Sequence, residues 1–342
     1  MRTFNKLKYL IMRFLSTPQS GLSWQQPLVY NFTTDGDEPE DVRVVIYDLH
    51  RDELIATKML YGVTTAQVDI APYLRSVCQE SIATPKATGI VVSPAARYIG
   101  VEVGGVMSPS ALCLASSLNV EQPSILSMLA AKQDVEYGDS IIFTLFTPQV
   151  TKLTITTHTS LTARKQQFTG PEMAVPIDVI IHTANLSSMI HKIVVEINNG
   201  DELYRTITFN IVAPDSRSER LFWRNSRGGV ESYSFPRSVR LATEAAIDRF
   251  ATSGGLCARL RSSIERYRLC SAYEPVKELE RIAEIIRSPY VYKCVSGQLL
   301  PVELCSRSVE YESHGELRQL LLEVETGWQG ASQTDGKEVL YD

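Results

Sequence analysis

The 342-residue chain has little of what marks an enzyme, a metal protein or a membrane protein. Its six cysteines, Cys78, Cys113, Cys257, Cys270, Cys294 and Cys305, are scattered. No two have the close spacing of a zinc knuckle or a redox dithiol. A chain of this length can bury enough core without cross-links, so the thiols are expected to be reduced and mostly buried. Histidine is scarce: His50, His158, His182, His191 and His314. His158 and His182 fall in expected strands of one domain, but no nearby carboxylate or cysteine completes a metal set. Excess positive charge is missing as well. The net charge is −5, which withholds the broad positive field that binds nucleic acid.

Long apolar runs are absent. Met1 to Leu15 is basic, then apolar, but Arg13 interrupts it and Ser16-Thr17-Pro18 makes a poor cleavage site. The run is far too short to span a bilayer. It reads as an N-terminal arm over residues 1–20, with Met12 as an alternative start. The pairs Gly228-Gly229 and Gly254-Gly255 match no phosphate-binding loop, and no serine sits in a nucleophile elbow. No pair of carboxylates stands out for acid–base work. No catalytic residue, no cofactor and no metal is therefore assigned, and the chain is expected not to be an enzyme. The acidic stretch Asp35-Gly36-Asp37-Glu38-Pro39-Glu40-Asp41 lacks the ligand spacing of a calcium loop and reads as a solvated hairpin tip.

What is present is β pattern. Over residues 21–118, short β-branched runs at 28–32, 42–47, 54–60, 65–70, 98–103 and 112–115 are separated by turn signals. They predict a first antiparallel β-sandwich domain. Over residues 119–214, runs at 140–146, 152–157, 177–182, 191–197 and 203–212 predict a second, immunoglobulin-like sandwich. Asn198-Asn199-Gly200-Asp201 between two of them is the strongest hairpin signal in the chain. Residues 213–218 read as a linker. Residues 219–326 predict an α+β domain with one amphipathic helix on an antiparallel sheet. Pro275 suits the first helical position, Val276, Leu279, Ile282, Ala283 and Ile286 share one face, and Ser288-Pro289 stops the helix. Residues 241–250 fit a strand or a helix, 263–269 a strand, and 327–342 a flexible polar tail.

One basic segment interrupts the acidic chain. Arg237, Arg240, Arg249, Arg259, Arg261, Arg266 and Arg268 are interleaved with Phe250 and Tyr267. Glu244, Asp248 and Glu265 dilute the charge, so a protein interface or a solvated β face fits better than a nucleic-acid stripe.

The segment Leu221-Phe222-Trp223-Arg224-Asn225-Ser226-Arg227-Gly228-Gly229-Val230-Glu231-Ser232-Tyr233-Ser234-Phe235 resembles one in tail proteins of phages and prophages of Bacteroidetes bacteria. The closing helix followed by Ser288-Pro289-Tyr290-Val291-Tyr292, Leu300-Pro301-Val302 and residues 317–325 is similar to the same group. So are Trp24-Gln25-Gln26-Pro27 and Val68-Asp69-Ile70 near the start. The resemblance implies a structural component of a tail tip, baseplate or related injection apparatus. Such a component is assembled in the bacterial cytoplasm, carried on the particle and docked to other tail proteins. It must present faces to neighbouring copies, and a ring is one closed solution. Trp223, Arg224, Asn225, Gly228, Gly229, Tyr233 and Phe235 are the interface candidates. The alternative is a carbohydrate-binding or adhesive β-sandwich module, with a cell-surface glycan as partner.

Overall fold

A computed structural model describes residues 12–34, 38–77, 82, 87–129, 132–295, 298–306, 308, 310–315 and 317–329. The chain is mainly β, with five sheets and two short α-helices among the described residues. It divides into two compact units. The first comprises residues 1–135, 140–211 and 224–231; the second comprises 136–139, 212–223 and 232–342.

The first unit holds two pairs of facing sheets. In one pair, a three-stranded sheet (Met12–Ser16, Val29–Thr34, Thr65–Asp69) faces a larger sheet centred on Glu40–Asp48 and Ala96–Val103. Alternation in Val29–Thr34 sends Tyr30 and Phe32 inward, where they share one core with Val44, Ile46 and Val101. The Asp69 carboxylate accepts hydrogen bonds from Leu28 N (2.8 Å) and Ala71 N (3.0 Å). The second acceptance satisfies a donor that the short helix Ala71–Val77 would otherwise leave open. In the other pair, Ser140–Phe146 and Ile177–His182 face a five-stranded sheet built on Thr151–Thr159 and Ile190–Asn199. Phe143, Val179, Ile155, Val195 and Ile207 meet in the core between them. Two sheets closed over one apolar layer is the sandwich arrangement. The Asn-Gly turn forms as expected, with Asn199 opposite Glu202 and Gly200 at φ +64°.

Several expectations change here. The boundary at residue 118 does not separate compact units. Gly89–Val92, expected in the first domain, pairs with Ile177–His182 of the second sandwich, and Leu112 and Leu114 enter that core. A boundary inferred from strand spacing cannot detect a strand that changes sheets. The N-terminal arm is partly strand: Met12–Ser16 pairs antiparallel with Val29–Thr34, and Phe14 lies edge-on to Tyr30 and Phe32. Residues 1–11, and 35–37 of the acidic stretch, lie outside the described residues.

The second unit carries an eight-stranded sheet and the helix Val276–Ala283. Leu279, Ile282 and Ile285 pack on Leu221, Trp223, Phe235 and Leu322. Pro275 caps the helix rather than opening it, a one-residue shift at a frayed boundary. The helix tightens to a 3-10 turn at Glu284–Arg287, which brings Ile285 into the core beside the partly buried Ile286. Gly327 and the two residues after it belong to the strand Leu317–Gln329 rather than to a tail. The rest of the expected tail lies outside the described residues.

Candidate functional site

The basic segment of the sequence forms one long β-ribbon in the second unit. Arg237–Thr252 and Gly255–Cys270 are sixteen residues each and pair antiparallel through a two-residue turn at Ser253-Gly254. Gly255 at φ +122° closes that turn, a conformation a side chain would resist. The ribbon has two parts. At its root, Ser262 to Cys270 pair with Leu317–Gln329 as a third strand. Beyond Ser262 no third strand joins among the described residues, so the tip is a two-stranded projection about 20–25 Å long. Arg237–Thr252 stands last in the sheet, so no strand among the described residues pairs with its outer edge.

Cross-strand pairs set what the tip displays. Ile247 opposes Leu260 and Ala251 opposes Leu256 on one face; Phe250 opposes Cys257 and Asp248 opposes Arg259 on the other. All are exposed; Phe250 is 48% and Leu256 87% accessible. A bare two-stranded hairpin is marginal in water, and an apolar free edge invites pairing with another chain. Charge separates the two parts as well. At the root, Arg266 Nε bonds Glu325 at 2.7 Å and Arg268 Nη2 bonds Glu323 at 2.7 Å. Arg240 lies 3.4 Å from Glu265 and over the Tyr267 ring. These contacts hold the Glu325 carboxyl below, and the arginines above, their ordinary values. At the tip, Arg249 and Arg259 have no ion-pair partner among the described residues. The side chain of Arg261 lies outside the described set.

The residues singled out with the Trp–Asn and Gly-Gly motif are elsewhere and are buried. In the first unit, Arg224 is enclosed: Nη1 donates to Gly228 O (2.7 Å) and Ser93 Oγ (3.3 Å), and Nη2 lies 3.5 Å from Asp178 Oδ2. Asn225 donates to Leu126 O (2.9 Å) and Glu231 Oε1 (2.6 Å), and its own Oδ1 accepts from Arg227 N and Gly229 N. Gly228 and Gly229 are buried beside them. In the second unit, Trp223 and Phe235 lie in the core, and Tyr233 donates to Glu274 (3.1 Å) while accepting from Ala272 N (3.0 Å). These seven residues bind the chain to itself and present almost nothing outward. The ribbon, which the sequence marked only by its arginines, is the exposed feature.

A second buried charge group sits in the second unit. Arg220 donates to Ser232 and Ser234, each at 2.8 Å, and its guanidinium lies 5.3 Å from the Phe222 ring. Burial pushes the Asp139 carboxyl up to about 6, against a downward pull from Arg220 and an upward push from Glu136 and Glu219. Because this value is raised, its stabilising effect is full below the unfolded value of 3.8 and lost as pH rises through about 6. The stability difference between the native chain and Asp139→Asn is expected to fall by about 1–2 kcal/mol between pH 4 and 7 after allowance for solvent access. Urea midpoints for both chains at both pH values measure it; a pH-independent difference refutes the assignment.

Among the described residues no group of three or more His, Cys, Asp or Glu could hold a metal. His158 and His182 lie in different sheets, and His182 Nδ1 sits 2.8 Å from Ser140 Oγ. Cys113, Cys270 and Cys294 are buried, Cys305 is partly buried and Cys257 is exposed on the ribbon. No described helix is long and apolar enough to cross a membrane.

Comparison with known proteins defines the class no further than the sheets do. No protein-family model matches the chain, and no curated protein matches it. Among solved structures, similarity is found to CBD12 from CALX1.2 (7% identity, 55% of this chain and 79% of that one, TM-score 0.19). It is found also to the FN1–FN3 domains of chicken CNTN1 (6% identity, 85% and 94%, TM-score 0.19). A third is the surface layer protein SbsC, domains 4–9 (8% identity, 94% and 45%, TM-score 0.22). At such scores these likenesses carry no argument about function.

Proposed function

We propose that this chain is a non-enzymatic structural protein that works by docking, as a component of a phage tail tip, baseplate or related injection apparatus. The resemblance of its Trp223-to-Phe235 segment and closing strands to tail proteins supplies the setting. The domain reading that goes with it is immunoglobulin-like sandwiches followed by an α+β assembly domain. The observation that carries the docking role is the ribbon tip, whose edge and apolar pairs on both faces meet no partner strand among the described residues. Ordinary monomers blunt such edges with short strands, prolines, bulges or charges. This one has two bulges and edge charges, but it is long, lacks proline along both strands and bears Phe250, Leu256 and Leu260 in solvent.

The test is particle composition. Tail-like particles from cells carrying the gene, banded by density and quantified by mass spectrometry, are expected to contain the chain at a constant ratio to other particle proteins. A Phe250→Ser/Leu256→Ser variant, folded but blunted at the ribbon, is expected to be missing from them. Particles that lack the native chain, or that accept the variant at the native ratio, overturn the proposal. A second reading, an adhesive or carbohydrate-binding module, draws on Tyr61, 73% exposed on the sheet-edge strand Glu53–Val63. Binding to a glycan array that is lost in Tyr61→Ala would favour it.

A further inference from the structure

The charge of the ribbon identifies what it docks on. At the root Arg266, Arg268 and Arg240 are paired with Glu325, Glu323 and Glu265, so the charge that remains is at the tip, where residues 246–261 hold Arg249, Arg259 and Arg261 against Asp248, a balance of +2. The whole chain has net charge −5, so everything outside the tip amounts to −7. The tip is therefore a basic projection on an otherwise acidic chain, and opposite charge is present on every other copy. The tip, residues 246 to 261, supplies most of the roughly 20 residues that the smaller side of a standard protein interface needs. Both of its faces carry apolar pairs, which suits a strand pair received in a cradle better than a flat contact.

We propose that the ribbon tip is a self-assembly arm that docks on the acidic surface of a second copy of this chain. The inference rests on the docking reading and names its occupant. Charge also selects the geometry of assembly. Ribbon against ribbon brings like charge together, whereas ribbon against the acidic remainder brings opposite charge together. The contact therefore joins two different surfaces. A contact of that kind leaves one donor and one acceptor open on each pair, so it continues to a closed ring or an open filament instead of stopping at a dimer.

Sedimentation velocity on the full chain from about 1 to 100 µM, in roughly 50 mM and 500 mM NaCl, tests this. The native chain is expected to pass beyond dimer mass as concentration rises, with assembly at least tenfold weaker at the higher salt. Arg249→Glu/Arg259→Glu is expected to stay monomeric with an unchanged circular dichroism spectrum, since both side chains are exposed. A chain whose residues 246–261 are replaced by an Asn-Gly turn receives an arm but offers none. Added to the native chain it is expected to cap assemblies and lower their mean mass.

A monomeric native chain at every concentration overturns the proposal. So does a native dimer that the armless chain fails to join, which is the signature of ribbon-to-ribbon pairing. Assembly of the Arg249→Glu/Arg259→Glu chain equal to native overturns it as well. If the native chain is monomeric yet particle incorporation still requires Phe250 and Leu256, the docking reading stands and a different protein is the occupant. If retention on nucleic acid or anionic vesicles replaces self-association, the second copy is excluded.

Discussion

Replacing Arg224 by alanine is expected to cost about 3–5 kcal/mol of stability, the largest single-residue loss in the chain. The Arg224 and Asp178 side chains are both wholly inaccessible, with Nη2 3.5 Å from Oδ2. Two further acceptors, Gly228 O at 2.7 Å and Ser93 Oγ at 3.3 Å, hold the guanidinium in place. On the other side, Thr144 Oγ1 donates to Asp178 Oδ1 at 2.6 Å and accepts from Val230 N at 2.9 Å. Truncating the arginine leaves a buried carboxylate with no opposite charge, and desolvation of that charge dominates the loss. Removing both charges is a different experiment. Arg224→Met/Asp178→Leu is expected to recover at least half of the loss, because an apolar pair of similar volume buries no charge and leaves only neutral groups (Gly228 O, Ser93 Oγ and Thr144 Oγ1) without those partners. Urea denaturation of the native chain, both single variants and the double variant closes the cycle. A loss below about 1 kcal/mol for Arg224→Ala would show that the pair is not buried as described.

The second large effect concerns one added methyl group. A Cβ on Gly229 would lie 2.4 Å from the carbonyl carbon of Leu126, 2.5 Å from its oxygen and 2.6 Å from Ser127 N. All three are backbone atoms and cannot rotate away. The backbone there is also tied down: Ser127 Oγ donates to Val230 O at 2.5 Å and accepts from Thr144 N at 2.9 Å. Gly229→Ala is therefore expected to lose about 3 kcal/mol or more, at the upper end of overpacking effects. Gly228 is the internal control. Its φ of +77° disfavours a side chain, but an added Cβ meets nothing closer than 3.5 Å. Gly228→Ala should cost only about 1–2 kcal/mol, from conformation alone. Comparing thermal midpoints of the two variants separates steric from conformational demand. Equal losses would refute the close approach at Gly229.

Both predictions concern a motif that the sequence displays plainly and whose position it conceals. Asn225 and Gly228-Gly229 mark a turn between strands, and a turn forms. Their burial depends on Leu126, Thr144 and Asp178, which lie roughly 45 to 100 residues earlier in the chain, and no local pattern reports such distance. Strands with one wet face were legible: Val29–Thr34 and Thr151–Thr159 alternate because one side meets a core. The ribbon was legible only at its root, where residues 263–269 read as strand. Alternation needs two unlike faces, and residues 243–251 and 253–260 are exposed on both. With Ala245, Ala246 and Ala251 among them, a helix scored as well as a strand. Arg281 lies off the apolar face of its helix, yet it is buried and donates to Ser232 O (3.4 Å) while Glu278 one turn back holds it (3.0 Å), a carbonyl partner that a helical wheel cannot see.

The strand that changes sheets has a consequence for how the protein is made. Gly89–Val92 cannot find its neighbour until Ile177–His182 has been synthesised, some ninety residues later. At elongation rates of about 5–20 residues per second, a nascent chain waits roughly 5–20 s with that edge unsatisfied. Residues 224–231 then arrive later still to complete the same unit. A ribosome that stalls in this window would release a product with an open sheet, the species that chaperones capture and proteases clear.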